Sequence, residues 1–273
     1  MTAKVFDGRA LALTKEIELA KKMAVMVKKP KLVSIVVGDD PTSHLYVDLK
    51  RKAAERVGIG FEKVEFKVSS KGGSAYGRKG EKLKIEEVIS LIENFNKDKS
   101  VTGIMVQLPL PPTLKGYSFK VVGAIAPDKD VDGLTGKGKF LPATVKAVLD
   151  ILASANVVLA GKQTVVVGRS KIVGQPLAQA LTERQALVTV AHSQTPDLGE
   201  VTNRADILIS ATGKPGLVTQ DMVKPGVVVV DVGEPKGDVA DEVRQVASFI
   251  TPVPGGVGPV TVACLLENIV EAA

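Results

Sequence analysis

Tryptophan is absent from the 273-residue sequence, and aromatic residues make up only 4% of it. Proteins that bind single-stranded nucleic acid stack bases on aromatic side chains, so no nucleic-acid partner is expected. The single cysteine, Cys264, excludes an internal disulfide and suits a reducing cytoplasm. The two histidines, His44 and His192, lack acidic or cysteine companions at metal-ligand spacing. No metal is therefore expected.

Long apolar runs are missing as well. None approaches the roughly 20 residues that span a bilayer, and the N-terminal sequence Met-Thr-Ala-Lys-Val-Phe-Asp-Gly lacks the apolar core of a signal peptide. No membrane partner is expected. The hydrophobic content of 45% and charged content of 24% are typical of globular proteins, and the length fits two domains. The net charge of +6 favours anionic small-molecule ligands.

Apolar strands alternate with amphipathic helices along the whole chain, which predicts an α/β fold with mostly parallel sheets. The predicted strands cover residues 31–37, 61–68, 101–106, 164–167, 187–191, 207–210 and 227–232. The predicted helices cover residues 9–27, 42–57, 85–95, 143–155, 175–184 and 260–271. A stretch rich in Pro, Asp, Lys and Gly at 127–138 is the expected domain crossover. Residues 249–259 are predicted to form a loop, and the basic, Gly-rich residues 69–84 a solvated one.

The stretch Gln-Thr-Val-Val-Val-Gly-Arg-Ser-Lys-Ile-Val-Gly-Gln-Pro, residues 163–176, predicts a buried strand, a tight turn and a helix start. Backbone N–H groups at such a turn bind phosphate, so we interpret it as a dinucleotide-binding turn. Its glycine spacing differs from the usual G-x-G-x-x-G, and an ordinary strand–helix connection is the alternative.

Tyr46 and Lys50 are four residues apart, so they share one face of the predicted helix that follows the first buried strand. Ligands of α/β proteins bind at this carboxyl edge of the sheet. A partly desolvated lysine beside a tyrosine can transfer protons near neutral pH. A surface lysine on an amphipathic helix is the alternative, since Arg51, Lys52 and Arg56 are neighbours.

Other candidates are polar groups at strand ends and in loops. Gln107 directly follows the third strand and can both donate and accept hydrogen bonds. Asp132 could bind an N–C–N edge of a heterocycle through two hydrogen bonds, although a plain turn aspartate is the alternative and Asp130 competes for the role. The glycines of Pro254-Gly255-Gly256 would allow a flat ligand to approach the backbone.

The strand at 187–191 lacks the acidic residue that usually binds the adenine-ribose 2′-hydroxyl. It ends instead in His-Ser-Gln-Thr, so that Ser193 and, in the glycine turn, Arg169 are available as donors. This pattern favours NADP over NAD.

Six motifs occur in an order that resembles the bifunctional methylenetetrahydrofolate dehydrogenase/methenyltetrahydrofolate cyclohydrolase family, and the resemblance covers nearly the whole chain. They begin at Gly38 (GDDPTSHLYVDLK), Gly103 (GIMVQLPLP), Lys129 (KDVDG), Val167 (VGRSKIVGQP), His192 (HSQT) and Thr251 (TPVPGGVGP). The resemblance implies two α/β domains with a cleft between them. These are an N-terminal three-layer catalytic domain that binds folate (1–140 plus 257–273) and a C-terminal Rossmann-like domain that binds NADP (141–256).

The resemblance also implies the roles of individual residues. Lys50 would be the catalytic proton-transfer group, with Tyr46 over the folate ring and Gln107 orienting Lys50. Asp132 would bind the pterin edge, and Pro254, Gly255 and Gly256 would line the folate pocket. The implied NADP-binding residues are Gly168, Arg169, Ser170, Ser193, Thr212 and Glu234. Glu234 stands where the family usually has an aliphatic residue.

The implied reactions are NADP-dependent oxidation of 5,10-methylenetetrahydrofolate and hydrolysis of the methenyl product to 10-formyltetrahydrofolate. A homodimer and a folate substrate, with or without a polyglutamate tail, are expected partners. Two other hypotheses are an NADP-dependent dehydrogenase of a small hydroxy or keto acid, which leaves Asp132 and the Pro-Gly-Gly loop without a task, and a non-catalytic dinucleotide sensor.

Overall fold

The computed structural model describes residues 2–67 and 83–273. The chain forms two compact units, and each contains a parallel sheet. The three-stranded unit comprises Thr14–Ala143 and Leu265–Ala273, and the six-stranded unit comprises Met1–Leu13 and Thr144–Cys264. Of the predicted basic loop at 69–84, residues 69–82 lie outside the described residues. The helices of the described part are too short or too polar to cross a membrane.

Helices and strands alternate through both units. The α-helices are α1 (Gly8–Val25), α2 (Pro41–Val57), α3 (Ile85–Lys97), α4 (Ser118–Val122), α5 (Ala143–Ser154), α6 (Gly174–Glu183), α7 (Leu198–Thr202) and α8 (Val257–Glu271). The strands are β1 (Lys4–Val5), β2 (Lys31–Val37), β3 (Gly60–Phe66), β4 (Gly103–Val106), β5 (Gln163–Val167), β6 (Leu187–Ala191), β7 (Ile207–Ser210), β8 (Val228–Asp231) and β9 (Phe249–Ile250). Short 3-10 helices occupy Pro112–Tyr117, Gln220–Met222 and Asp241–Gln245.

In the three-stranded unit, β2 lies between β3 and β4, and both pairings are parallel. Six of the seven residues of β2 are buried, as expected for a central strand covered on both faces. One face packs in a core formed with β4, α3 and α4, in which Ile35, Ile92 and Ile104 are fully buried. The strand order places the carboxyl ends of β2 and β4 side by side, which is where parallel sheets bind ligands.

In the six-stranded unit, the strand order is β1-β9-β8-β7-β5-β6 and every pairing is parallel. The side chains of Val165, Leu208 and Val229 are among those that form the buried core on one face. From β5 the chain adds β6 on one side and then β7, β8 and β9 on the other, so the order of strand addition reverses between β5 and β7. By the general rule for open parallel sheets, a ligand site is expected at the carboxyl ends of these two strands.

Two predictions about the chain differ from the structure. Residues 249 and 250 were predicted as loop but form β9, which pairs with β8 and β1. Because β1 pairs with β9, residues 1–13 group with the six-stranded unit. The predicted domain bounds, 1–140 plus 257–273 and 141–256, stay a prediction. The last helix begins at Val257, three residues before the predicted start.

Candidate active site and cofactor site

Helix α2 carries Tyr46 and Lys50 from a firmly capped start. The Asp40 carboxylate accepts a hydrogen bond of 2.7 Å from the Ser43 backbone N–H, and Pro41 is the first helical residue. These hydrogen bonds lower the pKa of Asp40, because they stabilise its charged form. Since α2 starts directly after β2, the face of Tyr46 and Lys50 begins at the carboxyl edge of the three-stranded sheet. Both side chains are partly buried.

Lys50 contacts Gln107 across this edge. The Lys50 Nζ donates to Gln107 Oε1 at 3.0 Å, although the two residues are 57 positions apart. The Gln107 amide cannot turn freely, because its Nε2 donates to Leu108 O at 2.7 Å and its backbone N–H donates to Ile35 O at 2.9 Å. The amide oxygen is therefore held toward Lys50, and the lysine ammonium or amine has a fixed position.

Asp132 lies in the same unit as Lys50, and the positive charge of Lys50 acts on its carboxyl group. Burial raises the pKa of the Asp132 carboxyl, the positive charge of Lys50 opposes the rise, and the negative charge of Asp130 adds to it. A partly buried carboxylate favours a ligand that brings N–H donors. The backbone around it is fixed, since the Ala143 N–H donates to Asp132 O at 3.2 Å.

Asp130 has a different task from Asp132. Its side chain is fully buried and accepts hydrogen bonds from the backbone N–H groups of Leu134 and Thr135 and from the Thr135 hydroxyl, at 2.6–3.1 Å. It therefore organises the turn that presents Asp132. The structure thus gives Asp130 a structural task, and the ligand-binding role of Asp132 stays a prediction.

Asn268 is a site-supporting residue that the sequence did not indicate. Its buried side-chain amide donates to Val131 O at 2.9 Å, next to Asp132. Val131 also packs against Gly103 of β4, where an added Cβ would lie 2.6 Å from its methyl groups. A polar residue within the apolar last helix was the one available signal.

In the six-stranded unit, Gly168 and Gly174 form a turn that tolerates no side chain. Gly168 follows β5 with φ of +122°, and an added Cβ would lie 2.5 Å from Ala211 O. At Gly174, the first residue of α6, an added Cβ would collide with Gly168 O. The helix start therefore packs directly on the strand end, which leaves exposed backbone where a phosphate can approach.

Ser170 and Arg169 use this turn differently. The Ser170 Oγ accepts from the backbone N–H groups of Val173 and Gly174, at 3.2 and 3.3 Å, so it caps α6. Arg169 is exposed, and its Nη2 donates to Gln194 Oε1 at 3.4 Å. That contact places the guanidinium beside the turn after β6, which contains exposed Ser193. Ser193 directly after β6 and Arg169 after β5 thus supply two donors, and residues 192–195 contain no acidic side chain.

The other predicted cofactor residues stand at the ends of the next strands. Thr212 follows β7, and its backbone N–H donates to Asp238 Oδ2 at 2.6 Å. Glu234 follows β8 and is exposed, with its Oε1 against Gly258 of α8. The predicted residues thus form a row along the carboxyl edge, from β6 through β5 to β7 and β8. A dinucleotide is a ligand of this extended shape, so the residues present fit NADP.

The Pro254-Gly255-Gly256 loop belongs to the six-stranded unit and follows β9. Gly255 has φ of +103°, a conformation that favours glycine, and its carbonyl accepts a hydrogen bond of 3.1 Å from the Gly8 N–H. A Cβ on Gly8 would collide with Gly256 O. Close packing of α1 on this loop therefore requires glycine at position 8, while Gly255 is favoured by its positive φ and Gly256 by Pro252 O, which an added Cβ would meet at 2.5 Å. Pro254 is exposed.

Two family models match consecutive parts of the sequence. The model of the tetrahydrofolate dehydrogenase/cyclohydrolase catalytic domain matches residues 6–132, and that of the corresponding NAD(P)-binding domain matches residues 142–273. The chain belongs to the tetrahydrofolate dehydrogenase/cyclohydrolase family. The predicted family and the predicted pair of α/β domains, one of them for NADP, are confirmed.

Individual members of the family match over nearly their whole length. The bifunctional protein FolD of Exiguobacterium sibiricum is 44% identical, and the match covers 99% of both chains. The crystal structure of the Campylobacter jejuni FolD methylenetetrahydrofolate dehydrogenase/cyclohydrolase superimposes with a TM-score of 0.88 at 38% identity, covering 99% of this chain and 98% of that one. The Trypanosoma brucei enzyme, solved with NADP and an inhibitor, gives 0.89 at 35% identity, with 100% and 97% coverage.

The family assignment divides the candidate residues between the two matched domains. Tyr46, Lys50, Gln107 and Asp132 lie within the range of the catalytic-domain model, and Gly168 and the other predicted cofactor residues lie within that of the NAD(P)-binding model. The roles of the individual residues stay predictions.

Proposed function

We propose that this chain catalyses both reactions of its family: the NADP-dependent oxidation of 5,10-methylenetetrahydrofolate to 5,10-methenyltetrahydrofolate, and the hydrolysis of that product to 10-formyltetrahydrofolate. The family assignment supports the pair of activities. The single observation that carries the site is the hydrogen bond of 3.0 Å from Lys50 Nζ to Gln107 Oε1. It holds a proton-transfer group at the carboxyl edge of the three-stranded sheet.

The dehydrogenase step needs orientation more than acid–base chemistry. The methylene carbon loses a hydride and becomes a methenyl cation that its two flanking nitrogens stabilise. NADP⁺, when bound, accepts that hydride. The residues of the chain hold the donor carbon at reacting distance, and effective orientation alone removes much of the barrier.

The cyclohydrolase step needs a proton acceptor and then a donor. Water attacks the methenyl carbon and loses a proton, which leaves a hydroxyl on this carbon. The bond from the carbon to N5 then breaks, N5 takes up a proton, and the hydroxyl proton leaves to solvent as the formyl C=O forms. Neutral Lys50 accepts the first proton, and its ammonium form returns one to N5. Gln107 keeps the lysine in place in both forms, since its oxygen accepts from either.

Substrate recognition rests on Asp132 and Tyr46. The desolvated Asp132 carboxylate offers two oxygens to the N–C–N edge of the pterin, and donors there relieve the cost of its burial. Tyr46, one helical turn before Lys50, covers the folate ring. The net charge of +6 on the protein would attract the negatively charged polyglutamate tail of a folate.

Cofactor selection rests on the turn after β6. Arg169 and Ser193 donate to the 2′-phosphate of NADP, and residues 192–195, directly after β6, contain no acidic side chain to repel it. Gly168 and Ser170 shape the turn that receives the pyrophosphate. Thr212 and Glu234 stand at the strand ends toward the nicotinamide.

The single cysteine is the one feature that supports a cytoplasmic location.

A homodimer is supported by an exposed strand edge. Strand β6 is an edge of the six-stranded sheet, and Leu187 and Val190 on it are 52% and 37% exposed. Exposed apolar edge strands pair readily with a second chain.

One absorbance experiment tests the proposed pair of reactions. The protein is mixed with 5,10-methylenetetrahydrofolate and NADP⁺, and NADPH and methenyltetrahydrofolate are followed at their separate wavelengths. Hydrolysis is measured in a second reaction that starts from methenyltetrahydrofolate without cofactor. NADPH formation and loss of the methenyl signal in the respective reactions are expected. A dehydrogenase of small hydroxy acids or a non-catalytic sensor would give neither signal.

A further inference from the structure

Two buried aspartates lie behind the cofactor-side ends of β7 and β8. Asp238 is fully buried, and its Oδ2 accepts from the Ser210 hydroxyl at 2.9 Å and from the Thr212 backbone N–H at 2.6 Å. Ser210 is the last residue of β7, and Thr212 is two residues beyond it. One carboxylate oxygen thus binds both the last residue of β7 and the loop that follows it.

Asp231, the last residue of β8, holds Asp238 in turn. Its Oδ1 accepts from the backbone N–H groups of Gly233 and Asp238, at 2.8 and 3.0 Å, and its Oδ2 accepts from the Val239 N–H at 3.0 Å. The loop from Gly233 to Val239 is therefore closed around a buried carboxylate. The burial and the neighbouring Asp238 both raise the pKa of Asp231, while these backbone donors lower it.

The second oxygen of Asp238 fixes the neighbouring loop by packing. Within the described residues, Asp238 Oδ1 is buried and has no hydrogen-bond partner. It lies against Gly233, where an added Cβ would collide with it. Gly233 immediately precedes Glu234. A buried oxygen without a donor costs stability, which offsets part of what the two hydrogen bonds to Oδ2 contribute.

The strand end that Asp238 holds also borders the phosphate-binding turn. The Ala211 N–H donates to Val167 O at 2.8 Å, and Ala211 O is the atom that an added Cβ on Gly168 would meet. Displacement of Ser210–Thr212 would therefore move the Ala211 carbonyl, against which Gly168 is packed. Asp238 contacts the loops of Thr212 and Glu234 directly and reaches the turn of Gly168 through Ala211.

We infer that Asp238 is a positioning residue for the dehydrogenase reaction, which sets the loops after β7 and β8 in register for the nicotinamide half of NADP. It acts through Ser210, Thr212 and Gly233 and does not touch the cofactor. The inference rests on the proposed cofactor site. It predicts that loss of the Asp238 carboxylate weakens NADP use while hydrolysis of methenyltetrahydrofolate, which consumes no cofactor, continues.

The test compares Asp238→Ala with Asp238→Asn. Asp238→Ala removes both hydrogen bonds to the β7 end, and we expect the KM and dissociation constant for NADP⁺ to rise about tenfold. The cyclohydrolase kcat should stay within about twofold of wild type, because the substitution does not touch the cyclohydrolase residues. In Asp238→Asn the amide oxygen can replace Oδ2 and accept both bonds, so NADP⁺ binding should recover to within about threefold.

A matched control is Asp206→Ala at the opposite edge of the same sheet. Asp206 accepts from the Gln163 N–H at 2.9 Å and from Lys224 Nζ at 2.7 Å, before β7 begins. Its loss should lower thermal stability and leave the KM for NADP⁺ unchanged. If Asp238→Ala does not fold, Ser210→Ala removes one donor alone and should raise that KM about threefold.

Two results would overturn the inference. One is NADP⁺ binding by Asp238→Ala, or by Ser210→Ala in its place, that matches wild type. The other is an equal loss of both activities, which indicates a purely structural role. Arg169→Ala separates these from an error in the cofactor site itself. If the proposed cofactor site is correct, Arg169→Ala raises the KM for NADP⁺ far more than that for NAD⁺, whether or not Asp238 positions the loops.

Discussion

At the scale of single residues, the hydrogen bond between Lys50 and Gln107 decides what the lysine can do. An exposed lysine samples many rotamers, and its ammonium is fully hydrated. Lys50 is partly buried, and its Nζ is held 3.0 Å from the oxygen of the Gln107 amide, whose Nε2 in turn donates to Leu108 O. This fixed position is what a general base or acid needs to reach a substrate atom reproducibly.

Lys50→Met should separate the two activities. Methionine keeps the length and apolar stem of the side chain but cannot carry a proton, so the cyclohydrolase kcat should fall by about 100-fold or more. Hydride transfer needs no proton carrier and should fall much less. Steady-state assays of the two reactions on the same preparation measure the ratio.

The matched control for that experiment is Lys52→Met, an exposed lysine on the same helix. Both of its activities should equal those of wild type. A full cyclohydrolase rate in Lys50→Met would show that another group transfers the proton.

Asp132 is expected to trade stability for substrate binding. Burial raises the pKa of its carboxyl in the folded protein above the unfolded value, so the folded state binds the proton more tightly. Stability from this group therefore falls as pH rises through the window between the two pKa values, and the full cost is present above it. Asp132→Asn should raise Tm at neutral pH, lose this gain toward about pH 4, and weaken folate binding.

Thermal unfolding of wild type, Asp132→Asn and Asp128→Asn over a pH series provides the measurement. Asp128 is exposed and lies in the same loop, so its variant should follow wild type at every pH. A stabilisation by Asp132→Asn that is independent of pH would contradict an ionised, desolvated carboxylate as the cause.

The chemical nature of most candidate residues could be read from the sequence, but their contacts could not. Lys50 and Asp132 stood out because they follow strands or occupy acidic turns. The structural task of Asp130 became visible only through the backbone N–H groups of Leu134 and Thr135 that its carboxylate binds. Asp238 gave no signal and Asn268 only its polarity within an apolar helix, because their partners are far away in the sequence or are backbone atoms.

At the scale of elements, the turn between β5 and α6 depends on two glycines whose neighbours are backbone atoms. Backbone cannot move aside as a flexible side chain can, so Gly174→Ala must push α6 away from Gly168 O. We expect NADP⁺ binding to weaken by about tenfold or more, with cyclohydrolase activity largely kept. Titration calorimetry with NADP⁺ and the cofactor-free hydrolysis assay measure the two effects.

Gly199→Ala is the control for this substitution. Gly199 lies in α7 of the same unit, and an added Cβ there would meet its nearest neighbour at 3.4 Å, an ordinary contact. Its NADP⁺ affinity should equal that of wild type. Unchanged affinity in Gly174→Ala would show that the turn does not contact the cofactor.

Long elements were predictable because their periodicity repeats, and short ones were not. The apolar run of β2 and the amphipathic pattern of α3 each extend over several turns or pleats, so they stand out. Strands β1 and β9 have two residues each and exist only because they pair with each other and with β8. Helices α4 and α7 have five residues each, too few to show a period.

At the scale of the whole molecule, the edge strand β6 is where we expect a second copy to bind. Leu187→Lys combined with Val190→Lys places two charges on an exposed apolar edge, which opposes strand pairing. The double variant should sediment as a monomer where wild type sediments as a dimer. Val158→Lys, at a residue 65% exposed in the same unit, is the control and should leave the mass unchanged.

Sedimentation of all three proteins over a concentration series distinguishes the outcomes. A wild-type monomer would remove the proposed homodimer. A dimer that persists in the double variant would place the interface on another surface.

The pairing of β1 with β9 joins the first residues of the chain to residues near its end. The last residues of α8 belong to the three-stranded unit, while its first residues belong to the six-stranded one. During synthesis, the six-stranded unit is incomplete until residues 249–250 have left the ribosome, and the three-stranded unit is incomplete until residues 265–273 have. Contacts between residues so far apart in the sequence form slowly. Until they form, β1 lacks β9, and the three-stranded unit lacks residues 265–273. We therefore expect the nascent chain to depend on chaperones for most of its synthesis.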